Sequence, residues 1–522
     1  MPGASAAAAE AERPLSAREL AGFLAMVFGM FMAILDIQIV ASSLTEIQAG
    51  LGASADEISW VQTSYLIAEV VMIPVSGYLA RLLSTRILFV VSAVGFTAMS
   101  FACAIAWNVP SMIVFRALQG FLGGAMIPTV FATSFILFPG KRRASASVLI
   151  GLVATMAPTI GPTLGGWLTQ MFSWHWLFLI NLVPGVLVAV AVFILADFDK
   201  PDWSLLRGFD FAGLGLLALF LGSLEFVLEE GPRDDWFDDR TITLLAMTAA
   251  VAGPVFLWRA FRVKNPIVDL RAFADRNFSV GCLYSFILGI GLYGAVYIVP
   301  LFLARVRGYD SLEIGLVMMV TGIFQFMSAP IAGVMMRRMD PRIMLALGLS
   351  LFGTGVYLST AMTAEWGYWE LFAPQAIRGV SLMLCFMPIN MLALGTLPPE
   401  RIKNASGLYN LMRNLGGAVG IAVINTIITD RMALHWARLV ESVNGARPEV
   451  AAYIESLAGR FDGSIAGDAT AAAMKTIGGM VNQQATVMTF NDALLLMSMV
   501  FFGALLLMPL IRKPKQAVAD AH

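Results

Sequence analysis

Asp36 is the only charged residue in the apolar run 20–44, and it is the first side chain in the sequence equipped for chemistry inside a membrane. Twenty-five helical residues at ~1.5 Å each reach about 37 Å, enough to cross a hydrocarbon core of ~30 Å. A charge there is costly and persists where it faces protein or water, so it points to proton or cation handling. Two more ionisable groups fall in the same layer: counted from the outer ends of their runs, Asp36 lies ~12 Å deep, Glu69 (run 59–80) ~14 Å and Arg116 (run 110–138) ~9 Å. An arginine beside a carboxylate favours the charged acid and desolvation favours the neutral one, so a small rearrangement between them exchanges a proton. The alternative is a static, charge-neutral cluster that fixes helix register.

Other candidates follow from the same reasoning. Arg378 (run 367–396) and Arg413 (run 404–429) are intramembrane, suited to an anionic substrate or to pairing helices. Tyr293 and Tyr297 lie one turn apart in the run 278–303, where they either line a cavity or fill the core. Glu225 sits near a span end beside Glu229 and Glu230 and reads as interfacial. Segment 157–166 holds Pro158 and Pro162, each lacking a backbone donor, and Gly161, Gly165 and Gly166, which bare one face to a neighbouring helix. It reads as a pliable hinge and contact. Cys103, Cys282 and Cys385 fall in apolar segments, and no His/Cys pairing has metal-ligand spacing.

The elements that must position these residues are membrane spans. Of 522 residues 58% are hydrophobic and 13% charged, which excludes a soluble multidomain protein; the near-zero net charge gives no reason to expect nucleic acid. Fourteen apolar runs are long enough to span, the first a retained anchor after a short polar tail, with no cleavable signal expected. Placing both termini in the cytoplasm makes the short loops positive-inside. The sequence also repeats: Pro74, Gly77, Arg81 and Arg86 recur at the same spacing as Pro330, Gly333, Arg337 and Arg342. Lys141-Arg142-Arg143-Ala144-Ser145 before span 5 is answered by Ile402-Lys403-Asn404-Ala405-Ser406 before span 13. The expected architecture is therefore all-α and polytopic: a cytoplasmic tail 1–19, a six-helix bundle 20–196, a linker 197–277 with two inserted spans, a second bundle 278–511, and a tail 512–522. Parallel half-repeats with the substrate path between them are a transporter architecture.

Three motifs carry a resemblance. Segment 157–166 is similar to the G-x-x-x-G-P-x-x-G-G antiporter motif of major facilitator exporters, with Ala157 at its first Gly. Arg116-Ala-Leu-Gln119-Gly120 resembles the R-x-x-Q-G motif of span 4, and Leu35-Asp36 the start of L-D-x-T-V-V-N-V-A-L-P in span 1. Stretches 60–66, 174–185 and 404–420, the last with Arg413, Gly416, Gly417 and Gly420, extend the likeness to the fourteen-span drug:proton antiporters typified by EmrB and QacA. Gln38, Ala41 and Thr45 depart from that pattern, and Arg81 stands where the family carries Asp.

The resemblance implies a proton-driven multidrug exporter of hydrophobic or amphipathic compounds, working by alternating access in a bacterial inner membrane. It is no enzyme and needs no cofactor beyond the proton gradient. Asp36, Arg116 and Glu69 would couple protons. Glu69, Gln119, Tyr293, Tyr297, Arg378, Asn410 and Arg413 would meet substrate. Gly161, Pro162, Gly165, Gly166, Gly77 and Arg81 would serve the conformational change. The resemblance further implies a periplasmic adaptor of the EmrA kind and an outer-membrane channel, which the long connection 431–487 is placed to meet. Two rival readings are a fatty-acid or lipid translocase using Arg378 or Arg413 for a headgroup, and a non-transporting scaffold or receptor.

Overall fold

A backbone in hydrocarbon must satisfy its own hydrogen bonds, so each long apolar run folds as a helix. The computed structural model describes residues 15–138, 142–444, 447–461 and 468–512; residues 1–14 and 513–522 of the expected tails, and Lys141, lie outside the described residues. Fourteen described helices are long and apolar enough to cross a membrane, as the sequence predicts. They are α1 (Ala17–Ala41), α2 (Glu57–Leu83), α3 (Thr85–Ala104), α4 (Val109–Leu137), α5 (Arg142–Met171), α6 (Trp176–Leu195), α7 (Phe211–Glu230), α8 (Arg240–Arg262), α9 (Arg276–Arg307), α10 (Leu312–Arg338), α11 (Pro341–Ala361), α12 (Tyr368–Leu394), α13 (Glu400–Ser442) and α14 (Ala469–Leu510).

Local chemistry sets where helices begin. At α1 the Ser16 hydroxyl accepts from the Glu19 amide while the Glu19 carboxylate accepts from the Ser16 amide, and Ser54 and Glu57 repeat this reciprocal cap before α2. Asn108 caps α4 ahead of Pro110, tolerated there because the first turn needs no amide donor. Small residues then bring α4 onto α2. A Cβ on Gly120 would sit 2.3 Å from the Tyr65 carbonyl oxygen, and one on Gly124 would sit 2.9 Å from that of Glu69. Helix α4 breaks at Gly124 and Ala125, beside Glu69.

The helices α1–α6 and α9–α14 meet along two seams. On one, α5 crosses α10, where the Gln325 amide donates to Thr155 and Gly315 packs on Thr163. On the other, α2 crosses α13, with Gly77 closed against the Lys403 carbonyl and Gly407 against that of Ile73. The inserted helices α7 and α8 pair with each other through Arg259, which contacts Asp210 at 2.7 and 2.8 Å. Helix α7 rests on α2: Thr63 donates to Glu230 at 2.8 Å, and Trp60 meets Phe226 with ring centroids 5.1 Å apart. Trp236, just beyond α7, donates to Thr426 of α13 at 3.0 Å.

The connection 431–487 is not a loop between short spans. Helix α13 runs unbroken to Ser442, α14 begins at Ala469, and a helix Pro448–Phe461 lies between them. The 43 residues of α13 reach about 65 Å, roughly twice a hydrocarbon core, so the two helices project together as a hairpin. Its small core is Leu457, Ala473, Ile477 and Val481.

Candidate functional site

Asp36 is fully buried among donors from two other helices. Arg116 Nη1 of α4 donates to its Oδ2 at 2.7 Å, Gln119 Nε2 to its Oδ1 at 3.1 Å, and Asn181 Nδ2, at the break in α6, to the same Oδ1 at 2.7 Å. Gln119 Oε1 in turn accepts from Arg116 Nη1 at 2.8 Å, and Ser100 of α3 accepts from Asn181 at 3.0 Å. Every group touching Asp36 is a donor, the arrangement an ionised carboxylate demands. Arg116 has a second anchorage: its Nε donates to the Val61 carbonyl at 3.2 Å, and its Cζ lies 4.2 Å from the centroid of the Tyr65 ring. A proton arriving at Asp36 would remove the charge that holds Arg116 to α1, while α2 would still hold the guanidinium.

Glu69 occupies a different environment. It is 2% exposed, and its Oε1 has no hydrogen-bond partner among the described residues. It lines a cavity of about 720 Å³ between the two halves, with Gln38, Pro162, Tyr293, Tyr297 and Asn414 also on the wall. Gln170 and Asp310, exposed residues at the end of the bundle away from the start of α1, also line it, so the cavity opens there. Tyr297 donates to Asn425 at 2.7 Å and Tyr293 to Asn414 at 3.4 Å. Glu225 corrects an expectation: it is buried rather than interfacial, and with Glu229 it faces this cavity from α7.

Several residues expected to meet substrate stand elsewhere. Gln119 belongs to the shell of Asp36 and is wholly buried away from the cavity wall. Arg378 is buried with its Nη2 3.5 Å from Thr321 Oγ1. Arg413 donates to Asn410 at 2.7 Å and lies between the rings of Phe131 and Phe386, 5.3 and 5.8 Å from their centroids. Asn410 donates to the Ser406 carbonyl at 2.8 Å. Arg378, Asn410 and Arg413 do not line the cavity.

The glycine-rich face of α5 meets the helix that carries Asp36. A Cβ on Gly161 would fall 2.3 Å from Gln38 Cβ, and one on Gly165 would fall 2.8 Å from the Ile39 carbonyl oxygen; Gly166 is buried in the same helix and Pro162 lines the cavity. At the end where α1 begins and α14 ends the halves are shut. Asp199, in the segment after α6, accepts from the Thr85 amide at 3.0 Å and the Thr85 hydroxyl at 2.9 Å, and it also takes the ammonium of Lys403 at the start of α13. Lys403 donates as well to the Ala80 carbonyl of α2 at 3.3 Å. Asp199 thus supplies a carboxylate at this closure, where the last turn of α2 carries Arg81, whose guanidinium lies 5.5 Å from the Tyr78 ring centroid. Asn181, Ser100 and Asp199 escape sequence reasoning; the first two are neutral, and the last lies outside any apolar run.

The family model Major Facilitator Superfamily matches residues 26–421. Colistin resistance protein EmrB of Acinetobacter baumannii is 42% identical over 480 residues, 92% of this chain and 94% of that protein. Multidrug export protein EmrB of Escherichia coli K12 is 32% identical over 452 residues, 86% and 88% of the two chains. Fatty acid resistance protein FarB of Neisseria gonorrhoeae is 31% identical over 503 residues, 96% and 97%. Among solved structures, the human organic anion transporter MFSD10 superposes with a TM-score of 0.58 at 13% identity, covering 94% of this chain and 100% of that one. The proton:xylose symporter XylE gives 0.56 at 11%, covering 93% and 95%. Identities this low speak for the fold alone.

Proposed function

The chain belongs to the major facilitator superfamily as an EmrB-like, multi-pass membrane transporter, and we propose that it exports hydrophobic or amphipathic compounds in exchange for protons. The observation that carries this reading is the buried Asp36–Arg116 pair at 2.7 Å, one residue along α1 from Ile37 and two from Gln38 on the cavity wall. Protonation of Asp36 would free Arg116, α1 would shift against the bare face of α5, and the seams between the halves would exchange which end is open. Glu69, at the wall, is the second acid and meets either a proton or a cationic substrate. With the termini in the cytoplasm, as the positive-inside bias favours, the cavity opens outward and the Asp199–Lys403 pair closes the inner side.

In a Gram-negative inner membrane the α13–α14 hairpin would then project into the periplasm, where it would dock an adaptor leading to an outer-membrane channel. A fatty-acid substrate is less well served, because carboxylates line the cavity and Arg378 and Arg413 do not. The test is gradient-driven uptake of an octyl-chain quaternary ammonium probe into inverted vesicles. Wild-type protein should accumulate it only when a proton gradient is imposed, and Asp36→Asn should not; equal accumulation by both would overturn the coupling.

A further inference from the structure

Helix α7 carries three glutamates near its end, and they divide in two. Glu230 is engaged structurally, accepting from Thr63 at 2.8 Å and lying 3.9 Å from Arg233. Glu225 and Glu229 instead line the central cavity, and among the described residues neither forms a salt bridge. Four residues apart on one helix, they rise about 6 Å along its axis and share a face. Glu69 of α2, nine-tenths and more buried, lines the same cavity, and its Oε1 has no hydrogen-bond partner among the described residues. Among the described residues no lysine, arginine or histidine lines this cavity, whereas Tyr293 and Tyr297 do.

We propose that Glu225 and Glu229 of the inserted helix α7, together with Glu69, form a binding site that selects amphiphiles carrying two positive charges a few ångströms apart over those carrying one. An unpaired carboxylate in a partly dry cavity is costly, and a ligand cation relieves that cost. While they are ionised, two such groups one helical turn apart on one wall, with a third on another helix, leave charge uncompensated by a single ligand cation. The aromatic faces of Tyr293 and Tyr297 can receive quaternary ammonium, which cannot itself donate a hydrogen bond. The apolar remainder of the wall, including Leu66, Val296 and Ile421, would take the hydrocarbon tail. This selectivity would come from the extra pair of helices, outside the twelve that make up the two repeated halves.

The proposal rests on the exporter reading for its biology, but equilibrium binding tests it without transport. Purified full-length protein would be titrated with octyl-chain probes bearing two quaternary ammonium groups three carbons apart, or one, or a neutral head. Wild type should bind the doubly charged probe more tightly than the singly charged one, and Glu225→Gln with Glu229→Gln together should lower that ratio on the order of tenfold. Glu225→Asp with Glu229→Asp, which keeps both charges, should restore most of it and controls for folding. An unchanged ratio in the double glutamine variant, or a wild type that does not distinguish the probes, would overturn the proposal. Intact discrimination in binding, with no gradient-driven transport of any probe, would leave the site standing and count against the exporter reading.

Discussion

Asp36 is legible because a lone charge in an apolar run is costly unless it is paired or functional, and the same argument singles out Glu69 and Arg116. What surrounds Asp36 is not, since Asn181 and Ser100 are small neutral residues whose value lies in being brought within 3.0 Å of one another by the break in α6. Gln119 lies one turn from Arg116 in sequence, and only the fold shows it turned inward to the aspartate and off the cavity wall. Glu225 was misread because its neighbours in sequence are acids at a span end, a pattern that usually marks an interface. Two predictions belong at this scale. Arg116→Lys should fail to support transport, because an ammonium cannot reproduce the fork that reaches Asp36, Gln119 and Val61 at once. Wild-type uptake rates in that variant would make the residue merely structural. Asn181→Ala should move the pH midpoint of transport, because it removes a donor from the carboxylate proposed to couple protons; an unmoved profile would show that Asn181 only holds α6.

At the scale of elements, α5 packs its bare glycine face on α1, the contact that the proposed cycle would move. The glycines of α5 were readable as a bare face, whereas its partner was not, and that partner turns out to be the helix bearing Asp36. Gly161→Ala should therefore cost about 1–3 kcal/mol of packing strain and slow transport more than it lowers the amount of folded protein. Uptake per molecule equal to wild type would argue against a moving contact. The span count was legible from hydropathy, yet the lengths of α13 and α14 were not: the apolar pattern stops at the membrane, while residues 430–442 hold no glycine or proline to stop a helix. The pairing of Asp199 with Lys403 belongs here too, because it joins the segment after α6 to α13. Asp199→Lys should loosen the closed end, and the reciprocal Lys403→Asp should restore it. Cross-linking yields across α2 and α13 would report this, and no rescue by the double exchange would show that the pair is incidental.

For the molecule as a whole, two seams and one cavity between repeated halves suit alternating access, with one end open and the other closed around fixed acids. The hairpin of α13 and α14 stands apart from both seams. Replacing 440–480 with a short Gly/Ser linker should abolish capture of a periplasmic adaptor while leaving uptake into inverted vesicles near wild type. Full-strength adaptor capture would place docking elsewhere, and failed uptake without any adaptor would make the hairpin part of the transport cycle. In the proposed exchange, substrate and proton compete through Asp36. Purified protein in weakly buffered detergent solution should release protons when the octyl quaternary ammonium probe is added, and Asp36→Asn should release far fewer. Equal release from the variant, or none from the wild type, would contradict the account.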